Sequence, residues 1–407
     1  MSNNLKDHKQ IGQELELFFT DEIAPGAPFW LPKGMIIFKE LEKYIRELTE
    51  NAGYLETSTP IMVKAELFKQ SGHWEKFGEH NMYNLQLSDE ADGNKSVSYT
   101  LKPMNCPEST ILYRFRPRSY RELPLRLSEI GRLHRREKSG EVNGLLRVRQ
   151  LTMDDAHIYA TEDQIFDEVS NILDMMISFY KMFGFEYEFR LATRPETRAG
   201  SDENWDKAEK ALSDALKKKG LTAGDKMGDG AFYGPKIDVH IKDSQGREWQ
   251  LATVQLDFHQ PEAFKLEYTD SDGKPKRPVM IHRAIFGSFE RFIAILTEQY
   301  QGAFPTWLSP SQVTVIPITD KNNAYANKVA DFLKKEGLRI NVDFRGETMQ
   351  SKIRDGQTQK VPYMLILGNR EEEEKKVSVR TRSGKNLSGI SQDEFLEKVK
   401  KDIDQKA

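Results

Sequence analysis

Apolar residues Ile37, Leu41, Ile45 and Leu48 recur at helical spacing, which predicts an amphipathic helix over 36–51 that Gly53 ends. A short strand then leads into Thr59-Pro60, and 98–102 is a short strand before the turn at Pro103. Alternating positions predict a strand at 125–131 and an antiparallel partner at 145–151, with 135–144 as the loop between them. Helical periodicity returns at 165–183 and 201–219, around a strand at 185–192. Strand-like segments follow at 236–242, 247–258 and 265–268, then a helix at 287–300 with Ile293 and Leu296 on its apolar side. Mostly antiparallel strands with helices point to an α+β fold rather than a doubly wound sheet.

The rhythm changes after the junction at 304–310. A strand at 312–318, a helix at 323–336, strands at 338–343 and 363–367, a hairpin around Ser383-Gly384 and a closing helix at 392–403 read as a compact α/β module. Two domains are therefore expected, 1–305 and 306–407. The run Glu371 to Glu374 with Lys375 and Lys376 reads as a solvated turn.

Composition narrows the classes. In 407 residues, 38% are apolar and 30% charged, enough apolar material for a real core. Sixty Lys and Arg oppose 63 acids for a net charge of -3, so any basic surface is local. No run of about 18 apolar residues could span a membrane. The polar start, Met1 to Gln10, lacks the features of a secretory or transit signal, so a cytoplasmic protein is expected. The single cysteine, Cys106, excludes an internal disulfide framework and fits a reducing compartment.

Candidate chemistry lies in scattered residues. Cys106 is either a buried small hydrophobe or a metal ligand, and His157 and His282 are either satisfied core groups or ligands. No short ligand spacing joins the three. The segment His134-Arg135-Arg136-Glu137, with Arg147 and Arg149 beyond it, is either exposed surface or a set of guanidinium forks aimed at phosphate. Arg291, in Gly287-Ser288-Phe289-Glu290-Arg291 at a helix start, either pairs with an acid or binds an anion.

Together these segments resemble the threonyl-tRNA synthetase family of class II aminoacyl-tRNA synthetases, from about His8 to Ile403. The likeness is carried in order by Gly72-His73-Trp74, Lys102-Pro103-Met104-Asn105-Cys106-Pro107, Leu146-Arg147-Val148-Arg149, Asp154-Asp155-Ala156-His157 and Gly230-Ala231-Phe232-Tyr233-Gly234-Pro235-Lys236. It continues through Val254-Gln255-Leu256-Asp257-Phe258, Met280-Ile281-His282-Arg283-Ala284, Phe304-Pro305-Thr306-Trp307-Leu308 and Val361-Pro362-Tyr363-Met364-Leu365.

The resemblance implies a class II antiparallel sheet with flanking helices, followed by a smaller α/β anticodon-binding domain. It implies an ATP-dependent threonine–tRNA ligase, a homodimer whose partners are L-threonine, ATP with Mg²⁺ and tRNA(Thr). The helix through Leu41 and Ile45 with the strand ending at Pro60 resembles the first class II signature, which in the family builds the dimer interface. One Zn²⁺ per subunit is implied on Cys106, His157 and His282, with a position left open for the substrate. Its purpose would be discrimination, because an apolar pocket barely tells a hydroxyl from an isosteric methyl. Arg135, Glu137, Arg147, Lys236 and Arg291 are implied ATP residues, with Arg135 and Arg291 catalytic. Met104, Asp155, Tyr233, Gln250 and Gln255 are implied around threonine, and His73 near the tRNA ribose as a proton acceptor or a structural contact. Arg345, Lys352, Arg354, Glu371 and Arg380 match anticodon-facing positions; charged residues there are equally soluble surface.

Four departures stand out. Glu108-Ser109 replaces the family's Gly-His after Cys106-Pro107, Leu151 a stacking phenylalanine, Met153 a glutamine, and Gly346 an asparagine. They motivate the alternative of a silent paralogue that binds tRNA or regulates a partner. The family's N-terminal editing domains are expected to be missing, because nothing before His8 could hold one.

Overall fold

Eight strands make the sheet that carries the candidate site: β1 (Leu55–Glu56), β2 (Leu125–His134), β3 (Gln150–Ala160), β4 (Tyr187–Ala192), β5 (Ala223–Lys226), β6 (Lys236–Lys242), β7 (Glu248–Asp257) and β8 (Val279–Ala284). Their spatial order is β5-β4-β6-β7-β8-β3-β2-β1. Only the edge pairs β5/β4 and β1/β2 run parallel. The six inner strands β4, β6, β7, β8, β3 and β2 pair antiparallel, as the resemblance implies. The molecule is described as a computed structural model over residues 5–89 and 95–406. The polar start at Met1 to Gln10 is thus described from Leu5 onward.

Burial explains why these segments are strands. Every residue of β8 is buried, and β3 is buried on both faces along most of its length. Below the sheet, the helix Ile165–Met182 buries Val169, Ile172, Leu173, Met176, Phe179 and Tyr180. Phe179 stacks on Phe286 at 5.4 Å and meets Phe292 at 5.3 Å, and Tyr180 Oη donates to the Ile285 carbonyl at 2.8 Å. The helix Asp202–Lys218 shows the local logic most simply. Ser201 caps its first turn by accepting from the Asn204 amide, Asp202 and Glu203 face the positive end, and Lys217 and Lys218 the negative end. Its apolar positions, Trp205, Ala208, Leu212, Ala215 and Leu216, are the buried ones.

One strand assignment needs correction. The partner of β2 is β3, with Leu125 opposite Tyr159 and His134 opposite Gln150, not the segment 145–151. Residues 135–149 form the connection. Asp154, Asp155 and His157 break the apolar alternation of β3, which hid a strand that turns Asp155 and His157 into the site. The strand β8 also escaped notice, because full burial removes the alternation that marks a half-exposed strand.

The chain divides into two compact units. The sheet above belongs to the unit made of Glu22–Pro28 and Glu42–Phe292. The other, made of Met1–Asp21, Phe29–Leu41 and Ile293–Ala407, contains a five-stranded sheet: β9 (Val313–Pro317), β10 (Ile340–Val342), β11 (Tyr363–Leu367), β12 (Lys376–Thr381) and β13 (Asn386–Ser391). Its order is β10-β9-β11-β12-β13, with a parallel half and an antiparallel half. Helices Asn323–Lys335 and Gln392–Asp404 pack Val329, Leu333, Phe395 and Val399 into its core. The helix Met349–Thr358 was not expected, since its sequence is polar and includes Gly356. Gly356 is buried there because a Cβ would lie 2.6 Å from the Met364 sulfur. Among the described residues, no helix is long and apolar enough to cross a membrane.

Candidate active site

The register of three neighbouring strands brings distant residues side by side. His282 on β8 lies opposite His157 on β3 and opposite Gln255 on β7. Because side chains alternate, Met153, Asp155 and His157 share one face of β3, and Thr253 and Gln255 share one face of β7. These residues line a cavity of 370 Å³ together with His73, Met104, Cys106, Arg135 and Tyr233. The ligand atoms of Cys106, His157 and His282 all lie within 4.8 Å of one another, and all three side chains are buried. The two imidazole rings sit 5.0 Å apart, nearly perpendicular.

This set fits a zinc ion. One soft sulfur and two imidazole nitrogens are its usual donors, and a tetrahedral ion would separate them by roughly 3.3–3.6 Å. Burial pushes the Cys106 thiol well above its ordinary pKa, and burial, followed by the charge of His282, pushes His157 well below its own. His282 Nε2 lies 2.9 Å from the Asp257 carboxylate, leaving its other ring nitrogen available. Asp257 was not among the expected site residues. At the end of a strand an aspartate reads as a cap, which it also is.

Asp155 is held by Asn105, whose Nδ2 donates to it at 2.9 Å. Gly131 on β2 makes that contact possible: a Cβ there would lie 2.4 Å from the Asn105 side chain. Tyr233 Oη donates to Gln255 Oε1 at 3.0 Å. His73 is buried, with Nδ1 2.8 Å from Ser71 Oγ and Nε2 3.8 Å from Cys106 Sγ; burial drives its pKa down to about 3. Gln250 stands apart from this group. It is exposed, lies beyond a register shift between β6 and β7, and does not line the cavity.

Beside the cavity stands a group of arginines. Arg135 Nε donates to the Pro103 carbonyl, and Arg291 Nε to the Leu146 carbonyl at 2.9 Å. Burial lowers the proton affinity of Arg291, and the charges of Arg135 and Arg147 lower it further. Cations that repel one another in a partly buried place are held there by backbone carbonyls and form a ready site for a polyanion. Glu137 is the nearby counter-charge, bound by Arg147 at 2.8 Å. Lys236 Nζ is 2.5 Å from the buried Asp238 carboxylate. Leu151, where the family stacks a phenylalanine, packs with Leu133 and Val148 instead.

The profile of tRNA synthetase class II core domains (G, H, P, S and T) matches residues 85–300, more than half of the chain. The chain belongs to the class II tRNA synthetase core family. An anticodon binding domain matches residues 312–402 of this synthetase chain. It is 50% identical over 399 residues to a threonine–tRNA ligase of Clostridium tetani and 49% identical over 399 residues to one of Thermotoga maritima. Each alignment covers 98% of this chain and 61% of the relative, so the chain spans about three fifths of the length of these curated relatives. A crystal structure described as the RNA binding domain of threonyl-tRNA synthetase from Cryptosporidium parvum Iowa II superposes with a TM-score of 0.93 at 39% identity, covering 97% of this chain and 98% of that one. One described as a putative threonyl-tRNA synthetase from Aeropyrum pernix gives 0.83 at 28% identity, covering 98% and 97%.

In this synthetase chain the five anticodon candidates differ in freedom. Arg354 is exposed on the helix Met349–Thr358. Arg345 is clamped by Asp343 and Asp355, at 2.6 and 2.9 Å. Lys352 is buried, its Nζ on the Asp343 carbonyl at 3.0 Å. Glu371 caps the Gly368 amide and accepts from Ser378, so its run forms a short helix, Asn369–Glu374, rather than the solvated turn expected. Arg380, on β12, reaches Asn386 Oδ1 at 3.5 Å.

Proposed function

We propose that the protein is a threonine–tRNA ligase: it activates L-threonine with ATP and passes the threonyl group to the 3′ end of tRNA(Thr). The observation that carries this reading is the convergence of Cys106, His157 and His282 in one cavity with Arg135 and Asp155. The relatives' printed names and the anticodon-domain match add support.

When bound by Cys106, His157 and His282, Zn²⁺ supplies an open Lewis-acid position that a β-hydroxy amino acid can fill and valine cannot. Asp155, fixed by Asn105, accepts from the substrate ammonium. Tyr233, Gln255 and Met104 border the same space. Arg135 binds the carboxylate and the α-phosphate, drawing nucleophile and phosphorus into line while cancelling their repulsion. Arg147 and Arg291 take the remaining phosphates of Mg²⁺-bound ATP, Glu137 the adenine, and Lys236 lies near the nucleotide. The carboxylate attacks the α-phosphorus and pyrophosphate leaves. His73 then lies near the tRNA ribose hydroxyl that accepts the threonyl group. Arg345, Lys352, Arg354, Glu371 and Arg380 are read as the anticodon face, on a domain bounded near 305/306. The protein acts as a cytoplasmic homodimer with one zinc per subunit.

Charging of bulk tRNA with labelled threonine tests the assignment. Threonylation that needs ATP and is lost in Arg291→Ala supports it; no charging by folded, zinc-loaded protein sinks it. A second reading, a silent paralogue that binds tRNA, draws on Met153, which lines the cavity where the family has a glutamine. Binding of tRNA without adenylate formation would select that reading.

A further inference from the structure

We infer that Asp257, held by Gln260, is a positioning residue that orients the metal ligand His282. The inference rests on the reading of Cys106, His157 and His282 as a metal site.

Asp257 ends β7, on the same face as Gln255, which stands opposite His282 across β7 and β8. Its carboxylate is therefore the diagonal neighbour of the His282 ring, and Oδ2 lies 2.9 Å from Nε2. Both Asp257 and Gln260 are completely buried, and neither lines the cavity, so neither can touch a substrate there. A buried carboxylate is costly unless its lone pairs are filled. Gln260 fills them twice, with its backbone amide to Oδ1 and its side-chain Nε2 to Oδ2, both at 2.9 Å. Among the described residues its side-chain Oε1 has no hydrogen-bond partner, so the donor end is the one put to use.

The consequences follow from general chemistry. A carboxylate on one imidazole nitrogen fixes the tautomer and the ring angle, and presents the other nitrogen's lone pair to a metal. Gln260, by holding both carboxylate oxygens, fixes the orientation of the carboxylate that fixes the ring. The bland alternative is that Asp257 only accepts from the Gln260 amide in the first turn of the short helix His259–Ala263. Substitution separates the two roles: asparagine keeps an Oδ1 to accept the Gln260 backbone amide but loses the charge and the second acceptor oxygen. Leucine at 260 keeps the cap and removes the side-chain amide.

The test is Co²⁺ titration of the full chain, with thermal unfolding of the metal-free proteins as the control for folding. The parent should show a thiolate-to-cobalt charge-transfer band that Cys106→Ser abolishes. Asp257→Asn and Gln260→Leu should bind Co²⁺ roughly 10–100-fold more weakly. If Asp257→Asn does not fold, Gln260→Leu decides alone. Wild-type affinity in the folded variants would overturn the positioning role while leaving the metal site standing. Absence of the band in the parent would instead remove the metal reading, and this inference with it.

Discussion

At the scale of single residues, the proposed recognition of threonine turns on one hydroxyl. Threonine and valine have nearly the same shape, so discrimination needs a group that rewards oxygen and loses something when a methyl takes its place. Cys106, His157 and His282 provide the donors for such a group, and Cys106→Ser is expected to lose stoichiometric zinc, read by metal analysis, and with it threonine-dependent exchange. In the proposed reaction Arg291 meets a different demand, stabilising charge on phosphate. Arg291→Ala should lower ATP–pyrophosphate exchange by about 10²–10³-fold, with the fold intact by circular dichroism. Glu290 sets a pH dependence of stability. Burial raises its carboxyl to about 7, although one oxygen accepts from the Thr152 amide. Unfolded, it titrates near its ordinary 4.5, so between the two values the native state holds a proton that the unfolded state has released. Its contribution is complete below about 4.5 and declines as pH rises through about 7. Glu290→Gln should flatten that decline, on the order of 3 kcal/mol in all, in urea midpoints measured from pH 5 to 8. At this scale the sequence spoke unevenly. The three ligands have no common spacing, so only the resemblance named them, and Asp257 and Gln260 were silent because their meaning exists only across paired strands.

At the scale of elements, the site depends on how β3, β8 and the turn after β8 interlock. Asp154, on the face of β3 away from the cavity, binds Arg283 at 2.5 Å and the Ile285 amide at 2.6 Å, while its own amide donates to the Gly287 carbonyl. Gly287 sits at φ +79°, and a Cβ there would approach the Leu251 carbonyl oxygen at 3.1 Å. Gly287→Ala should therefore cost about 1–2 kcal/mol in urea unfolding, and it should reduce exchange by more than that loss explains, because Arg291 follows one helical turn later. Long helices with regular apolar spacing, such as Ile165–Met182 and Asp202–Lys218, were legible almost to the residue. The strands that hold the chemistry were not. In β3 the polar groups that point into the cavity look like loop residues, and in β8 burial on both faces erases the alternation.

At the scale of the whole molecule, the central antiparallel sheet of one unit and the mixed five-stranded sheet of the other match the expected class II core and anticodon-binding module. For the proposed homodimer, sedimentation equilibrium is expected to give twice the mass of the chain at micromolar concentration. Exposed apolar residues such as Ile61, Met62 and Phe115 are candidates for the surface it covers. Phe115→Glu should shift the mass toward that of one chain, and an unchanged dimer would exclude Phe115 from the contact. Serine carries the same hydroxyl as threonine, so a zinc-based reading leaves it partly accepted. The most direct measurement is amino-acid-dependent ATP–pyrophosphate exchange by the zinc-loaded protein. The account predicts strong exchange with threonine, weaker exchange with serine and background with valine. Exchange no faster with threonine than without any amino acid would contradict it.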